Sequence, residues 1–208
     1  MTSRREFLEA AALSSLPVIA GTSLTFAATS AIAASPASNA APGSPDFHLV
    51  LFDARYPQAG SGATRINRMG AAVHALADGD ITQVWLDSIG PAWQRGPAVV
   101  AGLTARPALF CLEQLALSSG LRVVFHAEHI VHADGRTEHS LPRGAESVGL
   151  SSSDLTHAGN NWSARVADAL ATYRPSAVRP RFARSDAALE PTLPPQAQLL
   201  TSWIIAAA

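Results

Sequence analysis

The sequence predicts a small three-layer α/β domain with a mainly parallel sheet and an antiparallel hairpin at one edge. Three observations carry this. The stretch from Gly96 to His129 reads as strand, helix, strand with sharp punctuation. The residues before it, from Phe47, also alternate between strand-like and helix-like patterns. The residues after it change to strict alternation around Asp134-Gly135, a strong hairpin turn.

In chain order, Phe47 to Asp53 (FHLVLFD) is nearly all apolar and predicts the first strand. Ala54 to Gly62 contains Pro57, Gly60 and Gly62 and predicts a loop. A helix is expected from Ala63 to Ala77, with Ile66, Met69, Val73 and Leu76 as its buried stripe. Asp78-Gly79-Asp80 supplies turn chemistry, and Ile81 to Leu86 (ITQVWL) predicts a second strand. Asp87 to Gly96 is irregular.

Ala98 to Leu103 predicts a strand buried on both faces. Thr104 then stands where a helix N-cap belongs, Pro107 falls in the first turn, and Gly120 lies just past the expected end. The helix between them is apolar on nearly every side, interrupted by Glu113 and Gln114, which implies cover by later parts of the chain or by a partner protein. Cys111 within it reads as a small core residue.

Leu121 to Val131 predicts the next strand, paired in parallel with Ala98–Leu103 through this helix. Arg136 to Leu141 returns as the hairpin partner. Ser140 to Asn160 is polar and rich in Gly and Ser, the composition of a mobile connection or a flap. A helix from Trp162 to Tyr173 buries Trp162, Val166, Ala169, Leu170 and Tyr173. The segment 174–208 is a proline-rich extended tail, and Leu199 to Ala206 within it is apolar enough for a last strand.

Ser3-Arg4-Arg5-Glu6-Phe7-Leu8 closely resembles the twin-arginine (Tat) export motif, departing at Glu9 where that pattern often has lysine. A mild apolar segment and a small-x-small site at Ala31-Ile32-Ala33 follow. The resemblance covers residues 1–33 and implies a bacterial envelope protein exported already folded, often with a cofactor or bound to a partner that carries one. Residues 34–46 then form a flexible linker and 47–173 the α/β domain. Pro17 and Gly21 make the apolar segment a poor permanent span, so no stable membrane anchor is expected after cleavage.

Net charge is −1, which gives no electrostatic case for nucleic acid. All 15 basic residues are arginine, so lysine chemistry is excluded while carboxylate or phosphate recognition is not. A parallel sheet would bring loop residues together beyond the carboxyl ends of its strands. The candidates for an anion site there are Asp53, Arg55, Ser61, Gly62, Gly102, Thr104 and Arg106. Local ion pairing of Asp53 with Arg55 is the plainer alternative.

A two-residue turn at Asp134-Gly135 would pair His132 with Thr137 and Ile130 with His139. His126, Glu128, His132 and His139 would then share one face, a ligand set suited to a divalent metal such as zinc. His129 would fall on the apolar face as a hydrogen-bonded core histidine. The reading best supported by sequence is a periplasmic accessory or ligand-binding protein, working with a larger cofactor-containing envelope protein. The alternative is a small enzyme, using metal at the hairpin histidines or acting on an anionic substrate.

Overall fold

The computed structural model describes residues 46–142, 145–173, 193–194 and 196–207. The export signal (1–33), nearly all of the linker and most of the proline-rich tail lie outside the described residues. The domain is α/β, built on a six-stranded open mixed sheet of order β2-β1-β3-β6-β4-β5. Its strands are β1 (Leu49–Asp53), β2 (Val73–Leu76), β3 (Val100–Ala105), β4 (Leu121–Val131), β5 (Thr137–Ser140) and β6 (Gln198–Ala207).

The expected mainly parallel sheet is corrected. β1 pairs in parallel with β2 and β3, but β6 pairs antiparallel with both β3 and β4, and β5 antiparallel with β4. β3 and β4 still point the same way, and the helix α4 (Arg106–Ser118) still joins them. They are not neighbours, because the last strand enters between them. β6 is buried from Leu200 to Ala206, the pattern of a central strand with two covered faces.

Successive strand residues feed two separate hydrophobic clusters, as the alternation of side chains requires. Val50, Phe52, Leu103, Phe125 and Ile204 join one cluster with Ile66, Trp162, Val166 and Leu170. Leu51, Val100, Leu121, Trp203 and Ile205 join the other with Leu109, Leu112 and Ala116. A bulge at Val124 separates the pairs Val123–Ile205 and Phe125–Ile204. It moves Phe125 and Ala127 to the cluster opposite that of Leu121 and Val123, so the expected single apolar face of β4 is split.

Three local expectations fail for identifiable reasons. The first helix is α1 (Pro57–Arg68), not Ala63–Ala77. Pro57 opens it, since a first-turn residue needs no N–H partner, and Val73–Leu76 becomes strand β2. The expected strand ITQVWL is helical: α2 (Thr82–Val84), a π-turn (Trp85–Ile89) and α3 (Gly90–Arg95) run without a break. The Asp80 carboxylate accepts from the Thr82 N–H at 2.8 Å and the Thr82 hydroxyl at 2.7 Å, which opens this run. Finally, 140–160 is not structureless: α5 (Ser152–Ala158) packs on α6 (Trp162–Thr172), with short 3₁₀ turns at Ala145–Val148 and Gly159–Asn161.

The helix α4 ends where expected, with Pro107 in its first turn and Gly120 at φ 70° just beyond its Ser119 cap. Its all-round burial does not hold. Ala108, Leu109, Leu112 and Ala116 are buried, but Phe110 and Leu117 are 60% and 45% exposed. Cys111, expected in the core, is also exposed.

The close approach of β6 to β3 depends on Gly102. A Cβ there would stand 2.5 Å from Trp203 Cζ2 and 3.0 Å from the Leu51 carbonyl oxygen. Trp203 is fully buried and cannot retreat without breaking its own contacts. Gly102→Ala is expected to lower the urea unfolding free energy by about 1–3 kcal/mol. Gly60→Ala, in open space on helix α1, should be neutral or stabilising in the same measurement.

Candidate functional site

Of the seven residues expected at an anion site, all but Arg106 are engaged in holding the fold. Asp53 is fully buried at the end of β1 and faces Arg55, whose Nε and Nη2 donate to Oδ1 and Oδ2 at 2.9 and 2.7 Å. The Arg55 backbone N–H adds a third hydrogen bond at 3.2 Å. Burial pushes the Asp53 carboxyl up, but the Arg55 hydrogen bonds and charge outweigh it and hold the group below the usual carboxylate range. The same pairing raises the already high Arg55 value. This is the local ion pair that the sequence offered as the plainer alternative.

Ser61 and Gly62 lie inside α1, against α6. The Ser61 and Ser163 hydroxyls share a hydrogen bond of 2.6 Å. A Cβ on Gly62 would come within 2.9 Å of the Ser163 carbonyl oxygen, so glycine is what lets the helices approach. Thr104 is not the cap of α4. Strand β3 runs on to Ala105, which takes the N-cap position. The Thr104 hydroxyl is buried, accepts from Trp203 Nε1–H at 3.1 Å and donates to the Ala105 carbonyl at 3.1 Å. Gly102 lies under the Trp203 ring. Arg106 is the one member to reach the other candidate group: its guanidinium is 3.8 Å from the Glu128 carboxylate.

The four residues expected as metal ligands are divided among three places. His126 and Glu128 stay together near Arg106. Burial lowers the His126 value, Glu128 opposes that and Arg106 adds to it. Its Nε2 is buried without a hydrogen-bond partner among the described residues. His132 bonds Glu138 at 3.0 Å near the turn. His139 is elsewhere, directly opposite His129. Among the described residues no group of three or more His, Cys, Asp or Glu stands close enough to hold a metal ion.

The physical reason is the turn. It has three residues between strands, not two: His132 N–H donates to the Arg136 carbonyl at 2.8 Å, leaving Ala133, Asp134 and Gly135 in the loop. Gly135 adopts φ 83°, the left-handed position of a three-residue hairpin loop. One extra loop residue slips the register by one, and a slip of one moves every side chain of the returning strand to the other face. Val131 pairs Thr137, Ile130 pairs Glu138, and His129 pairs His139.

The structure thereby assembles a site that the sequence reading missed. His129 is fully buried. Its Nδ1 is 2.9 Å from His139 Nδ1, and its Nε2 is 2.9 Å from the buried Ser202 hydroxyl on β6. Trp162, the first residue of α6, packs against both imidazoles, with centroids 4.5 Å from His129 and 5.3 Å from His139. The chain Ser202–His129–His139 ends at a pocket of about 190 Å³ between β5 and α5. The sequence signal was present: His129 and His139 occupy matching positions around Asp134-Gly135 once a three-residue loop is allowed.

Burial keeps both imidazoles neutral. It lowers His129 well below the ordinary histidine value of 6.5, with the neighbouring histidines adding to the effect. Burial alone brings His139 to about 4. In the unfolded chain both histidines protonate near their ordinary value, whereas in the folded chain they resist it. The unfolded state therefore binds more protons between pH 6.5 and about 4, and stability falls as pH falls through that window. Urea midpoints are expected to drop across it, and the double variant His129→Leu/His139→Leu should show a clearly shallower dependence there.

Set against known proteins, the chain matches no protein-family model, no curated protein and no solved structure.

Proposed function

We propose that this chain is a Tat-exported periplasmic accessory protein that binds a larger, cofactor-containing envelope protein. The reading takes the domain as three layers, a sheet with helices on both sides, and assigns the outer face of α4 to the partner. The exposed face of α4 carries it. Phe110, Cys111 and Leu117 project from a helix whose opposite side is fully used by Leu109, Leu112 and Ala116. Phe110 and Leu117 are two turns apart, so they sit one above the other on a single stripe.

Two large apolar side chains aligned in this way leave apolar area in water, at a cost below the roughly 1.5–3 kcal/mol of a fully exposed side chain because each is only partly exposed. Helix-face recognition by a partner recovers it. The twin-arginine sequence supplies the compartment and a reason for a partner, since that route carries folded complexes. Among the described residues no helix is long and apolar enough to cross a membrane.

Native purification from the periplasm should yield a stoichiometric complex with one larger folded protein that carries a cofactor. Phe110→Asp with Leu117→Asp should weaken that complex by on the order of tenfold or more, about 1.4 kcal/mol, while unfolding midpoints stay near wild type. A clean monomer, or a complex indifferent to these changes, removes the support for the reading. Separately, Arg4→Lys with Arg5→Lys should leave the protein in the cytoplasm; normal export of that variant would refute the assigned route.

A further inference from the structure

β5 is the last strand of the sheet, so it is held along one edge only, by four residue pairs with β4. One of those pairs, His129–His139, carries a side-chain link as well as the backbone ladder. His129 cannot follow β5 outward. β4 is ladder-bonded to β6 on its other edge, and His129 Nε2 is tied to the Ser202 hydroxyl at 2.9 Å.

The ring protons on this link can be counted. The two Nδ1 atoms are 2.9 Å apart, a distance that needs one hydrogen between them and has no room for two. Two neutral imidazoles bring two ring protons: one lies in the bridge and the other sits on an outer Nε2. A third proton fits. The bridge hydrogen stays, His129 Nε2 donates to Ser202, His139 Nε2 is protonated, and the Trp162 ring beside both imidazoles eases the charge. A fourth does not fit, because each Nδ1 would then carry a hydrogen and present it to the other.

We propose that the His129–His139 pair is an acid-released latch on β5. The two rings hold the strand to β4 while they carry two or three protons between them. When they carry four, the strand separates locally, ahead of global unfolding. β5 is the part that yields, because it is four residues long with one edge unpaired, whereas β4 is bonded on both sides.

The surroundings favour release rather than a stable imidazolium pair. Among the described residues no carboxylate acts on either ring, and His126 on β4 opposes protonation of His129. Ser202 faces the pair from β6, Leu155 and Thr156 from α5, Asn160 from the turn after it, and Trp162 from α6; none of these ionises near neutral pH. Glu138 projects from the other face of the hairpin, where Arg136 at 3.6 Å and His132 at 3.0 Å meet it. While β5 is paired, burial holds His139 at about 4 and His129 well below its ordinary value. Once β5 leaves, both rings face water and titrate as ordinary histidines. The open form therefore binds up to two more protons than the closed form between pH 6.5 and about 4, and acid favours opening across that window.

Native-state amide hydrogen exchange of the full chain tests this, read by mass spectrometry at pH 6.5, 5.5 and 4.5, with and without 1 M urea, and corrected for the intrinsic pH dependence of exchange. Protection of the β5 amides should fall about ten- to a hundredfold per pH unit, the dependence of one to two protons taken up. At pH 4.5 it should lie well below that of β3 and β6 and barely respond to urea, because local opening exposes little surface. His139→Gln keeps a donor for His129 Nδ1 and removes one titrating ring, so the fall should shrink to about tenfold per unit at most. His132→Gln, at the exposed hairpin histidine, should leave the fall unchanged. Should His139→Gln fail to fold, the pH and urea dependence of the wild-type chain and of His132→Gln still decide. Protection of β5 that matches β3 and β6 in size and urea response, that does not change with pH, that keeps its full pH dependence in His139→Gln or that loses it in His132→Gln would overturn the proposal.

Discussion

β6 is the element on which the other parts depend, because it is hydrogen-bonded along both edges. It pairs with β3 from Leu200 to Ile205 and with β4 from Gln198 to Ala207. Without it the β2-β1-β3 sheet and the β4-β5 hairpin share no ladder. Its side chains alternate in role as well as direction. Thr201 and Trp203 tie to Thr104, through hydrogen bonds of 3.1 Å each, and Trp203 fills the space that Gly102 leaves. Ser202 points the other way and fixes His129. One strand thus supplies a core anchor on one side and the inner end of an imidazole chain on the other.

β6 is separated from both β3 and β4 by long stretches of chain. Its pairings with β3 and β4 are long-range, so their loop-closure entropy must be met before they reward the chain. Apolar burial from Leu200 to Ala206 is what offsets that entropy. The β1 terminus carries an arginine–aspartate pair. Asp53 is buried at the end of β1 and lies 3.5 Å from the Ala105 N–H, so its charge stands where β1 and β3 end together. Arg55 neutralises it locally, leaving no uncompensated charge at that seam.

Much of the fold was legible from periodicity and punctuation. The end of α4, the start of α6 at Trp162 and the existence of β4 and β6 all follow from patterns strong enough to survive tertiary context. What failed was of two kinds. Short apolar runs such as ITQVWL fit a strand or a helix equally, and here the Asp80–Thr82 hydrogen bonds at the start accompany the helix. Sheet order is not encoded locally at all: the crossover through α4 is long enough for β4 to sit beside β3, and nothing between Gly96 and His129 announces that β6 will intervene. The continuous apolar run of LLTSWIIA was the available clue, since a strand with no wet face belongs in the centre.

The site was less legible than the fold, and the difference rests on one residue of loop. A two-residue turn gathers His126, Glu128 and His139 on one face; a three-residue loop sends His139 to His129. Side-chain period in a strand is two, so this error has no intermediate outcome. The chemistry changes with it. The first arrangement would be a half-wet set of metal donors. The second is a nearly dry chain of neutral imidazoles, braced by Trp162 and ended by a hydroxyl, in which burial favours the uncharged forms. Gly135, with φ 83°, is therefore more than a turn residue. By permitting the three-residue loop it sets the register, and the register decides whether His139 meets solvent-side carboxylates or the buried partner that orients it.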